Sequence, residues 1–357
     1  MAAIKQIERT VAVLMEAKYK IHHLGDITQT DLLRLQIRRD RTKCETTISA
    51  KPYVVEILKK FKNKRGISYY DAGEVKAVPI KSGILFKPAP ESHQATEEEI
   101  SLYLQICMSL MYLMLIARPE LAYAVGLAAR FVKNPFSTHF DLLDGILKYL
   151  TGTQDLLLTY AKNSEQFPSL RMTYDGEKPN PNNLHQLNDS SWLDDLIRRH
   201  TTMGRCTFLG ACLIDWRSLL IKRVMLSSNH AEFYSSNEGA KDIVHLQNFL
   251  HEIGFGHLAT CVPMLGDNQG ALSLAQGTVS ATQNRAYDLL LFYQRELADQ
   301  RKIKFIYIST SDNVADLMTK ALPEETFLKH VKKLGMRIRV YAIAESVATF
   351  RFKKRYN

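Results

Sequence analysis

The sequence predicts an α/β domain built on a mixed sheet for residues 179–340. Two neighbouring apolar segments, 204–216 and 223–228, have the composition of strands and suggest a hairpin. A long segment with helical spacing follows over roughly 229–253. Strand and helix patterns then alternate along the rest of this region. A hairpin followed by such alternation is typical of a mixed sheet with flanking helices.

The remaining elements of this domain follow the long helix. A short strand ends at Asp267, and a second strand covers IKFIYIST at 303–310. Helices are predicted near 269–276 and 284–300, and a last helix begins at Asn313. The strands near Asp267 and at 303–310 are therefore joined through helices, as in an α/β domain with a mixed sheet.

The first third of the chain has a different pattern. Helical spacing of apolar residues predicts helices over 1–20 and 51–61, and LLRLQIRRD at 32–40 has the composition of a strand. Periodicity is lost over 63–99, where three prolines and several charges indicate a linker.

A helical module is predicted from Glu97 to Gly152, with a capping signal at Thr96 and a break at Arg118-Pro119. Its most apolar stretch, 102–117, is shorter than the roughly 20 residues that span a bilayer and includes Gln105. We therefore expect a buried helix here and no membrane partner.

The loop composition of KPNPNN, within the polar stretch 163–188, marks a boundary between the helical module and the α/β domain. The chain is accordingly divided into four regions: 1–75, 76–178, 179–340 and a basic C-terminal tail at 341–357.

The charge balance favours a polyanionic partner. Lys and Arg total 47 against 37 Asp and Glu, which gives a formal net charge of +10. Nucleic acid is the first candidate, and an anionic membrane surface is the second. The basic residues form three groups, each of which could equally be a solvated surface. The groups are Lys59, Lys60, Lys62, Lys64 and Arg65; Arg198, Arg199, Lys222 and Arg223; and Lys332, Lys333, Arg337, Arg339 and residues 351–355.

The cysteines and the N-terminus indicate a reducing, intracellular setting. The five cysteines are scattered without a Cys-x-x-Cys pair, which argues against a disulfide framework and against a cysteine zinc site. The first 26 residues are interrupted by charges and lack the apolar core of a signal peptide. Cytoplasmic and nuclear locations both remain open.

Four acidic residues are placed where the predicted layout would bring them together: Asp189, Glu232, Asp267 and Asp316. Asp267 closes a strand, at the edge of the sheet where α/β sites commonly lie. Glu232 and Asp316 fall near helix starts, where the helix dipole alone stabilises a carboxylate by roughly 0.3–1 kcal/mol. For either residue taken singly, that structural role is the simpler explanation.

Taken jointly, the four carboxylates indicate a metal site. Converging carboxylates repel one another unless a multivalent cation lies among them, and Mg²⁺ prefers oxygen ligands. Two such ions roughly 3.5–4 Å apart can activate a water and stabilise the leaving oxygen in phosphodiester hydrolysis. A basic protein with this site is expected to be a nuclease.

Several segments, in the same order over about residues 20–335, resemble the C-terminal part of the Pol polyprotein of copia-type long-terminal-repeat retrotransposons. They are SLMYLMLIARPELAYAVGLAARF, ILKYLTGT, SSNHAEFYSSNEGAK, GDNQGALSLA and VADLMTKALP. The resemblance implies a thumb-like end of the reverse transcriptase at 1–75, a linker and connection at 76–178, and a ribonuclease H-like domain at 179–340. That domain would contain a five-stranded mixed sheet. Because the polymerase Tyr-x-Asp-Asp strand would lie upstream of Met1, no DNA synthesis is expected of this chain.

The resemblance also assigns roles to the four acids. Asp189 matches the first Asp of the family's Ser-Asp-Ala-Asp-Trp motif, and Asp316 matches Ala-Asp-x-x-Thr-Lys. Asp189 would bridge two Mg²⁺ ions, for which Mn²⁺ could substitute. Glu232 and Asp267 would complete one ion's site, and Asp316 would help to hold the other. The implied activity is cleavage of the RNA strand of RNA–DNA hybrids, with contacts to the nucleic acid backbone and with other Pol regions as further partners.

Departures from the family pattern motivate an alternative function. Ser191 replaces the second acid of the first motif, while Ala286 and Phe292 stand where histidines are common. Such histidines could position substrate or shuttle protons. The alternative is therefore a catalytically weak or inactive relic that binds nucleic acid.

Three further alternatives concern single residues. Asp194 or Asp195 could take the place of Asp189 if the first strand is shifted in register. His230 could ligate a metal, although its side chain should point away from Glu232. Large aromatic residues usually pack inside, so Trp192 and Trp216 are expected in the core rather than as base-stacking platforms.

Overall fold

The computed structural model of the protein describes residues 29–161, 183–195, 199–270 and 285–338. The predicted helix over 1–20, most of the polar stretch before the α/β domain, most of the helix near 269–276 and the basic tail at 341–357 lie outside the described residues.

An antiparallel five-stranded sheet is formed by four strands from the first half of the chain and one from near its end, in the order β1-β2-β3-β4-β10. Its strands are β1 (Gln29–Leu32), β2 (Leu35–Asp40), β3 (Glu45–Ser49), β4 (Leu156–Ala161) and β10 (Met336–Ile338). The strand predicted over 32–40 is divided, because Leu33 and Arg34 turn the chain with φ of 51° and 65°. The last strand comes from the far end of the chain, where Met336 pairs with Leu158 of β4.

Helices cover this sheet and confirm the predicted helical module. They are α1 (Lys51–Lys60), α2 (Tyr69–Ala72), α3 (Glu97–Ile116), α4 (Ala122–Ala129) and α5 (Ser137–Gly152). Thr96 and Glu99 form the capping box that begins α3, as the sequence indicated. The predicted break appears as a 3-10 turn at Pro119–Leu121.

The expectation of a buried helix is met by one face of α3 only. Tyr103, Leu110 and Leu113 lie in the core, whereas Met108 and Leu115 are exposed. By length and composition alone, α3 is the one helix among the described residues that could cross a bilayer. Its buried face packs into a core that continues through α4 and α5.

A buried ion pair holds the junction between α3 and α4. The Arg118 side chain is fully buried, and its Nε donates to Glu120 Oε1 at 2.6 Å. Its terminal nitrogens donate to the carbonyl oxygen and the hydroxyl of Thr153, at 3.2 and 2.7 Å. The junction is thereby tied to the end of α5.

The second sheet is the mixed five-stranded sheet that the sequence predicted, in the order β7-β6-β5-β8-β9. Its strands are β5 (Leu184–Asp195), β6 (His200–Leu209), β7 (Cys212–Ile221), β8 (Val262–Gly266) and β9 (Ile303–Tyr307). The pairs β5–β6 and β6–β7 are antiparallel, while β5–β8 and β8–β9 are parallel. The flanking helices are α6 (Ser228–Glu252), α7 (Arg285–Asp299) and α8 (Glu324–Lys333).

Two strand predictions in this sheet are wrong. The segment 204–216 is not one strand, because Gly210 adopts a φ of 61° and turns the chain between β6 and β7. The segment 223–228 is not the second strand of the hairpin, because 223–227 form a loop and α6 begins at Ser228. The hairpin is therefore formed by β6 and β7, one element earlier than expected.

The two sheets share one hydrophobic core. Trp216 of β7 donates its Nε1 hydrogen to the carbonyl of Met114 in α3, at 2.8 Å. Buried residues from both halves, including Leu150, Leu158, Phe208 and Met318, belong to one continuous cluster. The boundaries predicted at 75, 178 and 340 remain predictions. The strand β10, which lies within the predicted region 179–340, belongs to the first sheet.

Candidate metal centre

Three carboxylates from separate elements meet at one end of the second sheet. Asp189 lies in the central strand β5, Asp267 follows β8, and Asp316 lies in a 3-10 turn at Val314–Met318. Each offers an oxygen atom, and these atoms all lie within 4.8 Å of one another. Asp189 and Asp316 are each 3% exposed, and Asp267 is half-buried. No other group of three or more such residues occurs among the described residues.

Glu232 lies beside these three carboxylates, in the first turns of α6. Its Oε1 accepts a 3.1 Å hydrogen bond from the backbone amide of Ser190, the residue after Asp189. Burial raises the pKa of Glu232 well above its usual range, and the charges of Asp189 and Asp267 raise it further. All four predicted residues therefore converge.

Asp189 is positioned by β5, the central strand of the second sheet. Its neighbour across the antiparallel pair β5–β6 is Gly204. The Thr319 hydroxyl donates to Asp189 Oδ2, and the Ser235 hydroxyl donates to the Asp189 carbonyl at 3.2 Å. The Asp189 carboxylate is thus fixed by the residue that follows the 3-10 turn, and the Asp189 backbone is fixed from α6.

The turn that carries Asp316 is held by Asn313, which is fully buried. Asn313 Oδ1 accepts from the amide of Ala315 at 3.2 Å, and Asn313 Nδ2 donates to the carbonyl of Asn188 at 2.9 Å. The turn packs so closely on β6 that a Cβ on Gly204 would lie 2.8 Å from the Ala315 carbonyl oxygen. A glycine at 204 is therefore required for this approach.

Asp267 is oriented by the strand that neighbours its own. Thr310 follows β9, and its hydroxyl donates to Asp267 Oδ2 at 2.8 Å. The parallel pairing of β8 and β9 brings these two residues together, because both follow the carboxyl ends of their strands.

Among the described residues, one cation contacts the cluster. Lys320 Nζ lies 2.9 Å from Asp316 Oδ1 and 3.7 Å from Asp189 Oδ2. The sequence analysis assigned no role to Asn313 or Gly204, nor to Thr319 and Lys320, which end the motif that contains Asp316. The spacing that could have indicated Lys320 is its place four residues after Asp316, since such residues are neighbours on a helical surface.

The electrostatics of the cluster fit a hard divalent cation. Burial raises the pKa of Asp316 to about 7, and the Asp189 charge adds to this shift, while Lys320 opposes it. Four carboxylates with a single contacting ammonium group leave an excess of negative charge in a partly buried place. Sites that bind Mg²⁺ offer oxygen ligands and an excess of negative charge, so these residues fit this ion.

The alternatives for single residues have different outcomes. The cluster contains Asp189, and Asp195 pairs with His200 at the far side of an irregularity in β5, so a register shift is not supported. His230 Nδ1 accepts from the amide of Leu226 at 3.4 Å and does not belong to the cluster. The side chains of Asp194 and Ala286 lie outside the described residues.

The two tryptophans differ from each other. Trp216 is half-buried against α3, but Trp192 is 42% exposed, so the expectation that Trp192 lies in the core is wrong. Its indole Nε1 donates to the Met225 carbonyl at 2.9 Å, which holds the ring at the loop before α6. Phe292, where the family commonly has a histidine, is 65% exposed.

Ion pairs with acidic residues neutralise part of the three basic groups that the sequence analysis named. Lys64 pairs with Asp141 at 2.5 Å, and Lys333 pairs with Asp312 at 2.6 Å. Lys222 and Arg223 are exposed in the loop next to Trp192. Arg198, Arg339 and the residues of the C-terminal tail lie outside the described residues.

Comparison with known proteins finds relatives that are similar to this chain in sequence. No protein-family model matches the chain. The chain is 28% identical over 324 residues to the retrovirus-related Pol polyprotein from transposon TNT 1-94 of Nicotiana tabacum, covering 90% of this chain and 22% of that protein. It therefore spans about a fifth of the length of this relative.

A shorter relative is covered almost completely. The chain is 33% identical over 144 residues to secreted RxLR effector protein 161 of Plasmopara viticola, covering 40% of this chain and 90% of that protein. Among solved structures, LC11-RNase H1, isolated from compost, is 17% identical with a TM-score of 0.31, covering 39% of this chain and 93% of that one. The chain is thus similar to retrovirus-related Pol polyproteins from copia-type transposons, and this similarity is consistent with a C-terminal part of such a polyprotein.

Proposed function

We propose that this chain is a ribonuclease H that cleaves the RNA strand of RNA–DNA hybrids by metal-dependent hydrolysis, without polymerase activity of its own. The observation that carries this proposal is the convergence of Asp189, Asp267 and Asp316 within 4.8 Å, with Glu232 beside them. Buried carboxylates that lie close together repel one another. A cation bound among them offsets this repulsion.

Asp189, Glu232, Asp267 and Asp316 would hold the metal, with Mg²⁺ as the expected ion, two ions as the expected number and Mn²⁺ as a substitute. When bound, the ions supply an activated water and stabilise the leaving oxygen of the phosphodiester. Preorganisation of the ligands is the contribution of the chain itself. Thr319 fixes the Asp189 carboxylate, and Thr310 fixes that of Asp267.

The surface beside the cluster supports a nucleic acid substrate. Lys222 and Arg223 are exposed in the loop that leads to Glu232, and the Trp192 ring is exposed next to that loop. Cations bind phosphates without reading sequence, so binding should weaken steeply with salt and depend little on base sequence. Selection of a hybrid would depend on its A-like geometry and on its 2′-hydroxyl groups. Other regions of the Pol polyprotein are a further class of partner.

The experiment is cleavage of an RNA–DNA hybrid with a separate label on each strand, in Mg²⁺. Asp267→Asn keeps the side-chain shape but removes one ligand charge, and Asp299→Asn, at an exposed position outside the cluster, is the matched control. We expect the wild type and the control to cut the RNA strand only, and Asp267→Asn to lose at least a hundredfold in rate. Equal cutting by all three proteins would exclude this site.

A second candidate is a nucleic-acid-binding relic with little or no activity, which the exposed Phe292 and Ser191 at the second acid position favour. Stabilisation by Mg²⁺ distinguishes the two, because a ligand that binds only the folded state raises its melting temperature. The relic predicts hybrid binding that is unchanged by Asp267→Asn, with no cutting by folded wild type and no stabilisation by Mg²⁺.

A further inference from the structure

Lys320 is the cation that the fold places among the carboxylates. It follows the 3-10 turn by two residues, and its ammonium group contacts both Asp316, at 2.9 Å, and Asp189, at 3.7 Å. No other lysine or arginine among the described residues forms an ion pair with any of the four acids.

The two carboxylates that Lys320 joins belong to different elements. Asp189 lies in β5 and Asp316 lies in the turn at Val314–Met318, so the ammonium group links the sheet to the turn. Asp189 Oδ2 also accepts from the Thr319 hydroxyl, so neighbouring residues of one segment hold it. The Lys320 side chain therefore neutralises this side of the cluster.

The side chain of Lys320 has an open route to solvent. It is 38% exposed, whereas the carboxylates of Asp189 and Asp316 are 4% and 5% exposed. A lysine ends in a compact charge on a flexible stem of four carbons, so its head can leave a site while the stem stays in place. The two carboxylates cannot move in this way, because buried elements carry them.

We propose that Lys320 is a built-in counter-cation, which holds Asp189 and Asp316 together in the metal-free protein and competes with a divalent ion for that pair. This inference rests on the proposed function, since it concerns the same four carboxylates. The consequence is that the two sides of the cluster bind a divalent ion with unequal affinity. The side of the cluster formed by Glu232 and Asp267 takes an ion readily, and the side formed by Asp189 and Asp316 takes one only when Lys320 swings out.

The test is the binding of Mg²⁺ alone to the full chain, followed by titration calorimetry and by melting temperature. Lys320→Met removes the charge but keeps the length of the stem. We expect the weaker of the two Mg²⁺ affinities to rise at least tenfold in this variant. We also expect the metal-free variant to melt several degrees lower than wild type, because its carboxylates lose their counter-charge.

Two variants separate this effect from a general loss of charge. Lys329→Met removes a lysine that pairs with Asp312 outside the cluster, and should leave both affinities within twofold of wild type. Lys320→Arg keeps the charge and should keep the weak second affinity. If Lys320→Met fails to fold, Lys320→Gln provides the same test with a polar side chain.

The outcomes distinguish this inference from the proposed function. If wild type binds Mg²⁺ in two steps and Lys320→Met binds it identically, the competition is excluded while the metal site stands. If folded wild type and folded Lys320→Met both bind no Mg²⁺, the proposed function and the inference fail together. An equal gain in affinity for Lys329→Met would also overturn the inference, because the effect would then be long-range charge alone.

Discussion

The Asn313 side chain donates a 2.9 Å hydrogen bond to the carbonyl of Asn188, the residue that precedes Asp189. The same side chain caps the turn that carries Asp316. One buried amide therefore sets the distance between two of the four carboxylates, and its removal should affect the metal centre as well as stability.

Asn313→Ala removes both hydrogen bonds and leaves the Asn188 carbonyl buried without this donor. We expect a loss of about 1–3 kcal/mol in the free energy of unfolding, measured with urea, and a smaller rise of the melting temperature with Mg²⁺. Ser68→Ala is the control, because it removes the cap of α2 at an exposed place far along the chain. The control should lose stability without a change in its response to Mg²⁺, and an equal change in both variants would contradict the role of Asn313.

Gly204→Ala should disturb the same turn from the opposite side. Its Cβ would lie 2.6 Å from Met318 Cβ and 2.7 Å from Thr319 Cγ2, so the turn must move away from β6. We expect a loss of about 1–3 kcal/mol, as for other overpacked sites, together with weaker Mg²⁺ binding. Gly126→Ala in α4 is the control, because its Cβ meets only Ser218 Oγ, at 3.8 Å. That change should be neutral or should gain up to about 1 kcal/mol through helix propensity.

Stabilisation by Mg²⁺ should increase with pH. Burial and the charge of Asp189 raise the pKa of Asp316 from 3.8 to about 7. A carboxyl whose pKa is raised on folding destabilises the folded protein progressively as pH rises from about 4 to 7, and a cation that binds the charged form offsets this loss. We expect a small rise in melting temperature with Mg²⁺ at pH 5.5 and a larger rise at pH 8. In Asp316→Asn the difference between the two pH values should shrink, and an undiminished difference would assign it to another group.

Acid should destabilise the protein through His330. This residue is fully buried in α8, and neither ring nitrogen has a hydrogen-bond partner among the described residues. Burial lowers the pKa of His330 from 6.5 to about 4, and Lys333 and Lys329 lower it further, whereas Asp312 opposes them. The pKa of His330 is lower in the folded protein than in the unfolded chain. The stability that the neutral His330 ring contributes is therefore complete above about pH 6.5 and is lost as pH falls towards 4.

The measurement for His330 is the free energy of unfolding at pH 7 and at pH 4.5, for wild type and for His330→Leu. We expect His330 to account for up to about 3 kcal/mol of the acid loss, and His330→Leu to lose correspondingly less. His251→Leu is a control on the exposed side of α6. Equal acid loss in wild type and His330→Leu would show that His330 is not responsible.

Arg118→Met should be the most damaging of the changes outside the metal centre. It leaves the Glu120 carboxylate buried without its partner and removes two donors to Thr153. Breaking a buried pair costs about 3–5 kcal/mol, because the remaining charge stays uncompensated. The double change Arg118→Met with Glu120→Leu should recover much of that loss in a urea titration, since no buried charge remains. A double variant as unstable as the single one would show that packing, not charge, dominates.

The candidate site was more predictable than the fold around it. Asp189, Glu232, Asp267 and Asp316 each carry a local sequence context, so motif order alone brings them together. Lys320 ends the same motif as Asp316, but its contact with Asp189 depends on the distance between a strand and a turn that are far apart in sequence.

Most strands of the first sheet were not predicted from the sequence, for a related reason. The sequence ETTIS of β3 has no apolar alternation, and its pairing with β4 is decided by partners more than a hundred residues away. Trp192 was misplaced because its indole nitrogen is satisfied by a loop carbonyl, which stabilises the ring at the surface. Propensity describes single segments, and long-range pairing overrides it.

The strand β10 has a consequence for how the chain is made. Its partner β4 is synthesised long before it, and the whole second sheet is synthesised between them. During translation the edge of β4 must therefore wait, unpaired on that side, until nearly all described residues have left the ribosome. Pairings so distant in sequence form slowly and leave strand edges open to other chains. Synthesis in the cell should accordingly depend on chaperones until Met336–Ile338 emerges and completes the sheet.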